Sequence, residues 1–410
     1  MDGINKKIKE KLNNFREVYS ATAIYNHSKV LKAFKDCNIT TEAFNGSTGY
    51  GYNDYGRSKL NMLYSNIFKS EDALVSSNFA SGTHTIYTVF RGLLDYGDKI
   101  VSLTGDLYDT LEKAIWDDTG LVKKMSITYD KISLNSEGRI DNDVIKVQDF
   151  KKYKMAIIQR SRGYSTRRSI SIDEIEATSK LIKEYSPNTI VFVDNCYGEF
   201  VEKAEPIEVG ADIIAGSLIK NPGGTIAQSG GYIVGRKDLI EQISDCFTVP
   251  GIGREIGCEN SFDLRLMFQG IYLAPRIVEE CLVTGYYAAL LFNGLGYVVS
   301  PNTNETRTDI IQSITFNDKE KLIKFIQTIQ EYSPVDSQAI PHPWNMPGYD
   351  AQVIMASGSF ISGSSLELSA DAPIREPYIA YLQGSTSFYY SKIAIDKAAE
   401  ALEKIKVSGF

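Results

Sequence analysis

Short apolar, β-branched runs alternate with helical periodicities along most of this chain. Ala73-Leu-Val-Ser-Ser, Lys99-Ile-Val-Ser-Leu, Lys123-Lys-Met-Ser-Ile-Thr, Met155-Ala-Ile-Ile-Gln, Val191-Phe-Val-Asp, Ile213-Ile-Ala-Gly-Ser and Gly231-Tyr-Ile-Val-Gly read as strands. Most are apolar on both faces, as strands covered on two sides must be. Between them, Leu60–Phe68 and Thr83–Leu94 carry apolar residues at helical intervals. The alternation predicts a mostly parallel, twisted sheet under helices, and right-handed crossovers place the strand ends on one side. Roughly the first 40 residues predict an amphipathic, Lys-rich helical segment, with Phe15, Val18, Tyr19, Val30, Leu31 and Phe34 at helical spacing. A Gly- and Tyr-rich loop, Asn45–Arg57, follows. A long helical stretch around Tyr272–Phe292 changes the character of the chain, and shorter elements run from there to a final helix over Ala394–Ile405. The reading is an α/β protein: an N-terminal helical segment and loop over 1–60, a large sheet domain over 61–275, and a long helix with a smaller C-terminal α+β domain over 276–410.

At 410 residues the chain exceeds one ordinary core, in keeping with two domains. A hydrophobic share of 43% and a charged share of 23% are those of a globular protein. The net charge of −7 argues against a nucleic-acid partner, which calls for a basic surface. No apolar run reaches the roughly 18 residues of a membrane span, and the charged start Met1–Glu10 lacks the apolar core of a signal peptide. The 5 cysteines are widely spaced without Cys-x-x-Cys, which predicts reduced thiols in the cytoplasm. His27, His84 and His342 show no metal-ligand spacing, so no metal is expected.

Two charges end apolar runs: Asp194 after Asn188-Thr-Ile-Val-Phe-Val, and Lys220 after Ala211-Asp-Ile-Ile-Ala-Gly-Ser-Leu-Ile. Ligands of open α/β sheets sit at strand ends. A carboxylate and an amine there suit pyridoxal phosphate: the lysine forms the Schiff base, and the aspartate keeps the pyridine nitrogen protonated. Ser81-Gly82-Thr83 opens a helix whose free N–H groups suit a phosphate, and Ser217 offers a hydroxyl nearby. Tyr108, just past another strand, suits stacking on the pyridine ring and proton transfer to a leaving group. Tyr55-Gly-Arg57, in a flexible loop, suits a phosphate across a subunit interface. Each has a plainer reading when taken singly: a solvated lysine, an N-cap, a small residue where a strand end packs, a packing tyrosine, a surface turn.

The order Tyr55-x-Arg57, Ser81-Gly82, Leu107-Tyr108, Val193-Asp194-Asn195 and Ser217-x-x-Lys220 resembles the Cys/Met-metabolism family of pyridoxal-phosphate enzymes, which includes cystathionine lyases and methionine γ-lyase. Gly49-Tyr-Gly-Tyr-x-Asp54, Ser81-Gly-Thr-His84, Tyr108-Asp-Thr-Leu111, Gln159-Arg-Ser-Arg-Gly-Tyr164 and Lys220-Asn-Pro-Gly-Gly224 resemble its bacterial aluminium-resistance or methionine γ-lyase-like branch. The similarity runs from about residue 45 to the C-terminus. It implies the aspartate-aminotransferase-like fold, with the cofactor in the large domain. It also implies Lys220 as Schiff-base lysine, Asp194 on the ring nitrogen, Tyr108 on the ring, and Ser81, Gly82, Thr83 and Ser217 around the phosphate. Tyr55 and Arg57 would arrive from the neighbouring subunit of a homodimer with shared sites, often paired into a homotetramer. Three features depart from the lyases: Ile219 stands where they carry Thr, Gln159–Gly163 replaces an Asn-containing loop, and Gln383-Gly-Ser-Thr-Ser-Phe replaces an Arg-Leu-Ser motif. Arg375 is the nearest substitute for that arginine as a substrate-carboxylate ligand; a structural arginine anchoring its loop is the other reading.

The function these residues imply is a carbon–sulfur lyase of the cystathionine β-lyase or methionine γ-lyase type, acting on a small sulfur amino acid. Lys220 would remove the α-proton after the substrate amine displaces it. Racemisation or transamination remain alternatives within the chemistry, and a weakly catalytic cofactor-binding protein is an alternative outside it. A nicotinamide dehydrogenase fails, because no Gly-x-Gly-x-x-Gly follows the first strand with an acid about 20 positions on.

Overall fold

The computed structural model describes residues 2–408. Its large sheet has seven strands, in the order β1-β7-β6-β5-β4-β2-β3. They are β1 Asp72–Ser76, β2 Lys99–Ser102, β3 Thr128–Lys131, β4 Met155–Gln159, β5 Ile190–Asp194, β6 Ile213–Ser217 and β7 Gly231–Gly235. Strands β2 to β6 pair in parallel, while β7 runs antiparallel to both β1 and β6. The chain therefore leaves β1, β2, β4, β5 and β6 along one edge. Every residue of β4, β5, β6 and β7 is buried, in keeping with their unbroken apolar sequences.

Helices α1 Asp2–Asp36, α2 Tyr55–Phe68, α3 Gly82–Leu93, α4 Asp109–Trp116, α5 Leu121–Met125, α6 Asn142–Val147, α7 Ile172–Tyr185 and α8 Lys237–Phe247 surround this sheet. Alternate residues of β5 feed two apolar layers. Val191 and Val193 join Tyr64 and Phe68 of α2 and Ile175 of α7. Ile190 and Phe192 join Val89 and Phe90 of α3 and Ile240 of α8. On α1, Phe15, Tyr19, Val30 and Phe34 pack inward, whereas Val18 and Leu31 stay exposed. The strand expected over Lys123–Thr128 is instead helix α5 followed by β3. Leu121 anchors the helix, Lys123 and Lys124 stay in solvent, and Ser126 ends it in the left-handed conformation at φ 54°. Two adjacent lysines fit an exposed helical turn better than a sheet.

Helix α9 runs Ser261–Gly294, beginning well before the stretch expected from sequence, with Asn260 as its N-cap. Leu264, Phe268 and Ile271 enter the large core, and Val283, Tyr287 and Phe292 enter a second one. The expected domain boundary at 275/276 thus falls inside a helix that both cores share. The second sheet is antiparallel, ordered β10-β11-β12-β9-β8. Its strands are β8 Val298–Ser300, β9 Gln312–Thr315, β10 Val353–Ala356, β11 Ser369–Pro373 and β12 Ile379–Gln383, with α10 Lys319–Glu331 and α11 Phe388–Ser408. Ala370, Ala372, Ala380 and Leu382 point into its core. The alternate positions Asp371, Tyr381 and Gln383 face a cavity against the large domain.

Candidate active site

A cavity of about 240 Å³ opens where the strand ends meet the small sheet, and Gly82, Thr83, Tyr108, Asp194, Ser217 and Lys220 all line it. Asp194 closes β5, level with Gln159 of β4 and Ala215 of β6. Its buried carboxylate accepts the Cys196 N–H at 3.1 Å. Lys220 follows β6, and its Nζ lies 4.1 Å over the Tyr197 ring. Tyr197 holds φ 71°, the left-handed turn that folds the loop after β5 back on itself.

Helix α3 begins at Gly82 with Ser81 as N-cap, whose hydroxyl accepts the His84 N–H at 3.1 Å. Ser81 lies outside the cavity lining, while Gly82 and Thr83, the first residues of the helix, belong to it. A Cβ at position 82 would stand 3.2 Å from Ser217 Cβ and 3.8 Å from Cys196 Sγ. Glycine there keeps open the gap between the helix start and β6. Tyr108 N–H donates to Gln159 Oε1 at 2.6 Å, and the Tyr108 and Tyr349 hydroxyls are hydrogen-bonded. Gly163 sits at φ 55°, and a Cβ there would come within 3.1 Å of the Tyr108 ring.

Besides Ser81, three expected residues lie outside this lining. Arg375 lines an adjoining cavity of about 360 Å³ that shares Tyr108, Gln159, Tyr164 and Tyr381 with the first, and its Nη2 donates to the Tyr164 carbonyl at 3.2 Å. Tyr55 and Arg57 open α2, away from this chain's cavity. Tyr55 is exposed, and the Arg57 guanidinium donates to the carbonyls of Gly257 and Glu255. Sequence reasoning did not single out Cys196, Tyr197, Tyr349 or Asp371. The first two follow Asp194 by two and three residues, close enough for the sequence to have pointed to them. Tyr349 belongs to a loop without periodicity and gave no signal. Arg160 and Arg162, read from sequence as a changed loop, are buried ties. Arg160 binds Asn195 Oδ1, the Gly198 carbonyl and Glu202, and Arg162 binds Ser300 and Ser313 across the domains.

Burial opposes charge throughout this cavity. It raises the Asp194 carboxyl above its ordinary value, against the pull of Lys220. It pulls the Lys220 ammonium down, but Cys196, Tyr197 and Asp194 outweigh that effect and hold the amine protonated. Behind the site, Tyr232 donates to Glu199 Oε1 at 2.7 Å, and burial pushes Glu199 up to about 8 despite that bond. Between the ordinary carboxyl value and about pH 8, the folded chain therefore keeps a proton that the unfolded chain has released, and stability falls as pH rises. The Glu199 contribution should cost on the order of 3 kcal/mol from about pH 6 to pH 9. Thermal melting of Glu199→Gln should show a flatter pH profile and a higher Tm at pH 9 than the parent; parallel profiles would refute the assignment.

The residues fit pyridoxal phosphate. A helix N-terminus held open by Gly82 and backed by Ser217 suits the phosphate, while a buried carboxylate and an amine meet in the same cavity. Residues 1–403 match the methionine gamma-lyase family. The Bacillus subtilis (strain 168) protein YnbB is 45% identical over 381 residues, covering 92% of this chain and 90% of that protein. A Listeria monocytogenes structure, provisionally described as a cystathionine beta-lyase involved in aluminum resistance, superposes with a TM-score of 0.94 at 43% identity, covering 98% of this chain and 100% of that chain. A carbon-sulfur lyase involved in aluminum resistance from Clostridium novyi NT superposes with a TM-score of 0.90 at 42% identity, covering 98% and 96%.

Proposed function

This chain belongs to the methionine gamma-lyase family, and we propose that it is a carbon–sulfur lyase that uses pyridoxal phosphate to cleave a sulfur amino acid of the cystathionine, cysteine or methionine class. The observation that carries the reading is the joint placement of Lys220, Asp194 and the α3 N-terminus in one cavity. When bound, the cofactor supplies an electron sink for the charge left at the substrate's Cα. Lys220 Nζ anchors it and later takes the α-proton. Asp194 holds the proton on the ring nitrogen. The Tyr108 ring, set by Gln159 and given room by Gly163, covers the ring face. The Gly82 and Thr83 amides and the Ser217 hydroxyl hold the phosphate, and Ser81 supports them by capping α3.

A homodimer with shared sites, of the kind that pairs into tetramers, completes this reading. Tyr55 and Arg57 then serve the phosphate of the neighbouring subunit rather than their own. The exposed rings of Tyr50, Tyr52 and Tyr55 and the exposed Val18 and Leu31 of α1 support such contacts. The five cysteines are free thiols, which agrees with a cytoplasmic setting. Arg375 is the proposed ligand for the substrate carboxylate, reached past the tyrosine wall between the two cavities.

The test is release of 2-oxo acid from L-cystathionine, L-cysteine and L-methionine by protein loaded with pyridoxal phosphate. At least one of them should be cleaved, and Arg375→Ala should raise its KM about tenfold with a smaller change in kcat. No product from any of them would overturn the lyase reading. An unchanged KM in the variant would return Arg375 to a structural role.

A further inference from the structure

The small sheet brings into the cavity a carboxylate that the reaction described above does not use. Asp371 lies mid-strand in Ser369-Ala-Asp-Ala-Pro373, where Ala370 and Ala372 enter the small core and Asp371 faces the cavity. Its cross-strand neighbours Met355 and Tyr381 line the cavity beside it. One carboxylate oxygen, Oδ2, accepts the Tyr164 hydroxyl at 2.6 Å. The other, Oδ1, is buried without a hydrogen-bond partner, on a residue only 8% exposed. A buried carboxylate oxygen left unpaired is unfavourable, and this one belongs to a residue that lines the cavity, where a ligand can reach it.

Charge balance points the same way. Among the described residues that line the cavity, Lys220 is the one cationic side chain, facing Asp194 and Asp371. Its charge acts on both carboxyls. Once Lys220 is committed to the cofactor and Asp194 to the ring nitrogen, Asp371 has no cation of this chain in the cavity. The substrate's α-amine is likewise engaged at the cofactor, so a cation that meets Asp371 must be a second one.

We propose that Asp371 is a specificity-determining residue that binds an ammonium group on the leaving half of the substrate, selecting a diamino thioether over one with an apolar leaving group. The inference rests on the lyase reading and deepens it. An ammonium completes the unpaired Oδ1 with a charge-assisted hydrogen bond in a water-poor site. An S-alkyl group of equal size leaves the carboxylate buried and unpaired, and such sites reject the analogue that lacks the bond.

S-(2-aminoethyl)-L-cysteine and S-propyl-L-cysteine differ at the chain end by ammonium against methyl, and they isolate this contact. The holoenzyme and its Asp371→Asn variant are titrated with each, reading the dissociation constant from early absorbance changes and, separately, 2-oxo acid release. The parent should bind the aminoethyl compound at least about tenfold more tightly, and Asp371→Asn should bring the two within about twofold, mainly by weakening the cationic one. Equal binding by the parent, or equal loss of both ligands in the variant, overturns the inference. Selective binding with no 2-oxo acid from either compound or from L-cystathionine, L-cysteine and L-methionine keeps the inference and removes the lyase reading; equal cleavage of both compounds does the reverse. Tyr164→Phe removes Asp371's protein partner and keeps its charge, so it should preserve the preference. If Asp371→Asn melts early, the parent's ratio and Tyr164→Phe decide the matter.

Discussion

Lys220→Ala should lose the visible absorption near roughly 420 nm that marks a lysine-linked cofactor, and with it at least about a thousandfold of any lyase rate. The size of the effect follows from the double use of one atom. Nζ is the point of attachment, and it is also the base that takes the α-proton. That atom lies over the Tyr197 ring, in the same cavity as Asp194. Removing the amine also leaves Asp194 and Asp371 in the cavity without the chain's own cation. The cofactor should still enter, because the α3 N-terminus and Ser217 remain, but it should be lost on gel filtration. The measurement is an absorption spectrum of parent and variant after addition of pyridoxal phosphate. A band that persists in Lys220→Ala would move the attachment to another lysine, and no band in the parent would remove the cofactor assignment.

Lys220 and Asp194 are legible in the sequence because a buried parallel strand has an unmistakable composition, and a charge at its end or just past it is conspicuous. Strands β4 to β7 are all apolar runs, buried along their whole length, and the sequence places them nearly to the residue. Edge strand β3 is buried on one side only, so its signal is weak, and the run Lys123–Thr128 predicts a strand where a helical turn stands over Lys123–Met125. Asp371 was hidden for another reason. In a strand of Ser, Ala, Asp, Ala and Pro, small residues carry the core face, and the alternation lacks the bulky apolar residues that reveal a period of two. Tyr349 is brought to Tyr108 by tertiary packing alone. The pattern changes near 275/276, yet α9 passes through that point, because one helix serves both cores with different stretches of its length.

Asp194→Asn should separate holding the cofactor from using it. Asparagine keeps the shape and still offers an oxygen to the Cys196 N–H, so β5 and its loop should fold as before. It carries no charge, and a neutral amide does not hold a proton on the ring nitrogen against burial. The sink for Cα charge is thereby weakened while the Lys220 link remains. The variant should retain its visible band, perturbed in position, and lose about 10²–10³ in kcat, the scale seen when one preorganised electrostatic partner is removed from a water-poor site. A loss of the band together with activity would instead make Asp194 a structural support of the cavity. Activity within about threefold of the parent would show that the ring nitrogen needs no carboxylate, leaving a binder or a slower chemistry as the better description. Racemisation and transamination draw on the same sink, so the kcat loss cannot choose among reactions. Only the product can, and a 2-oxo acid formed with release of a thiol identifies elimination.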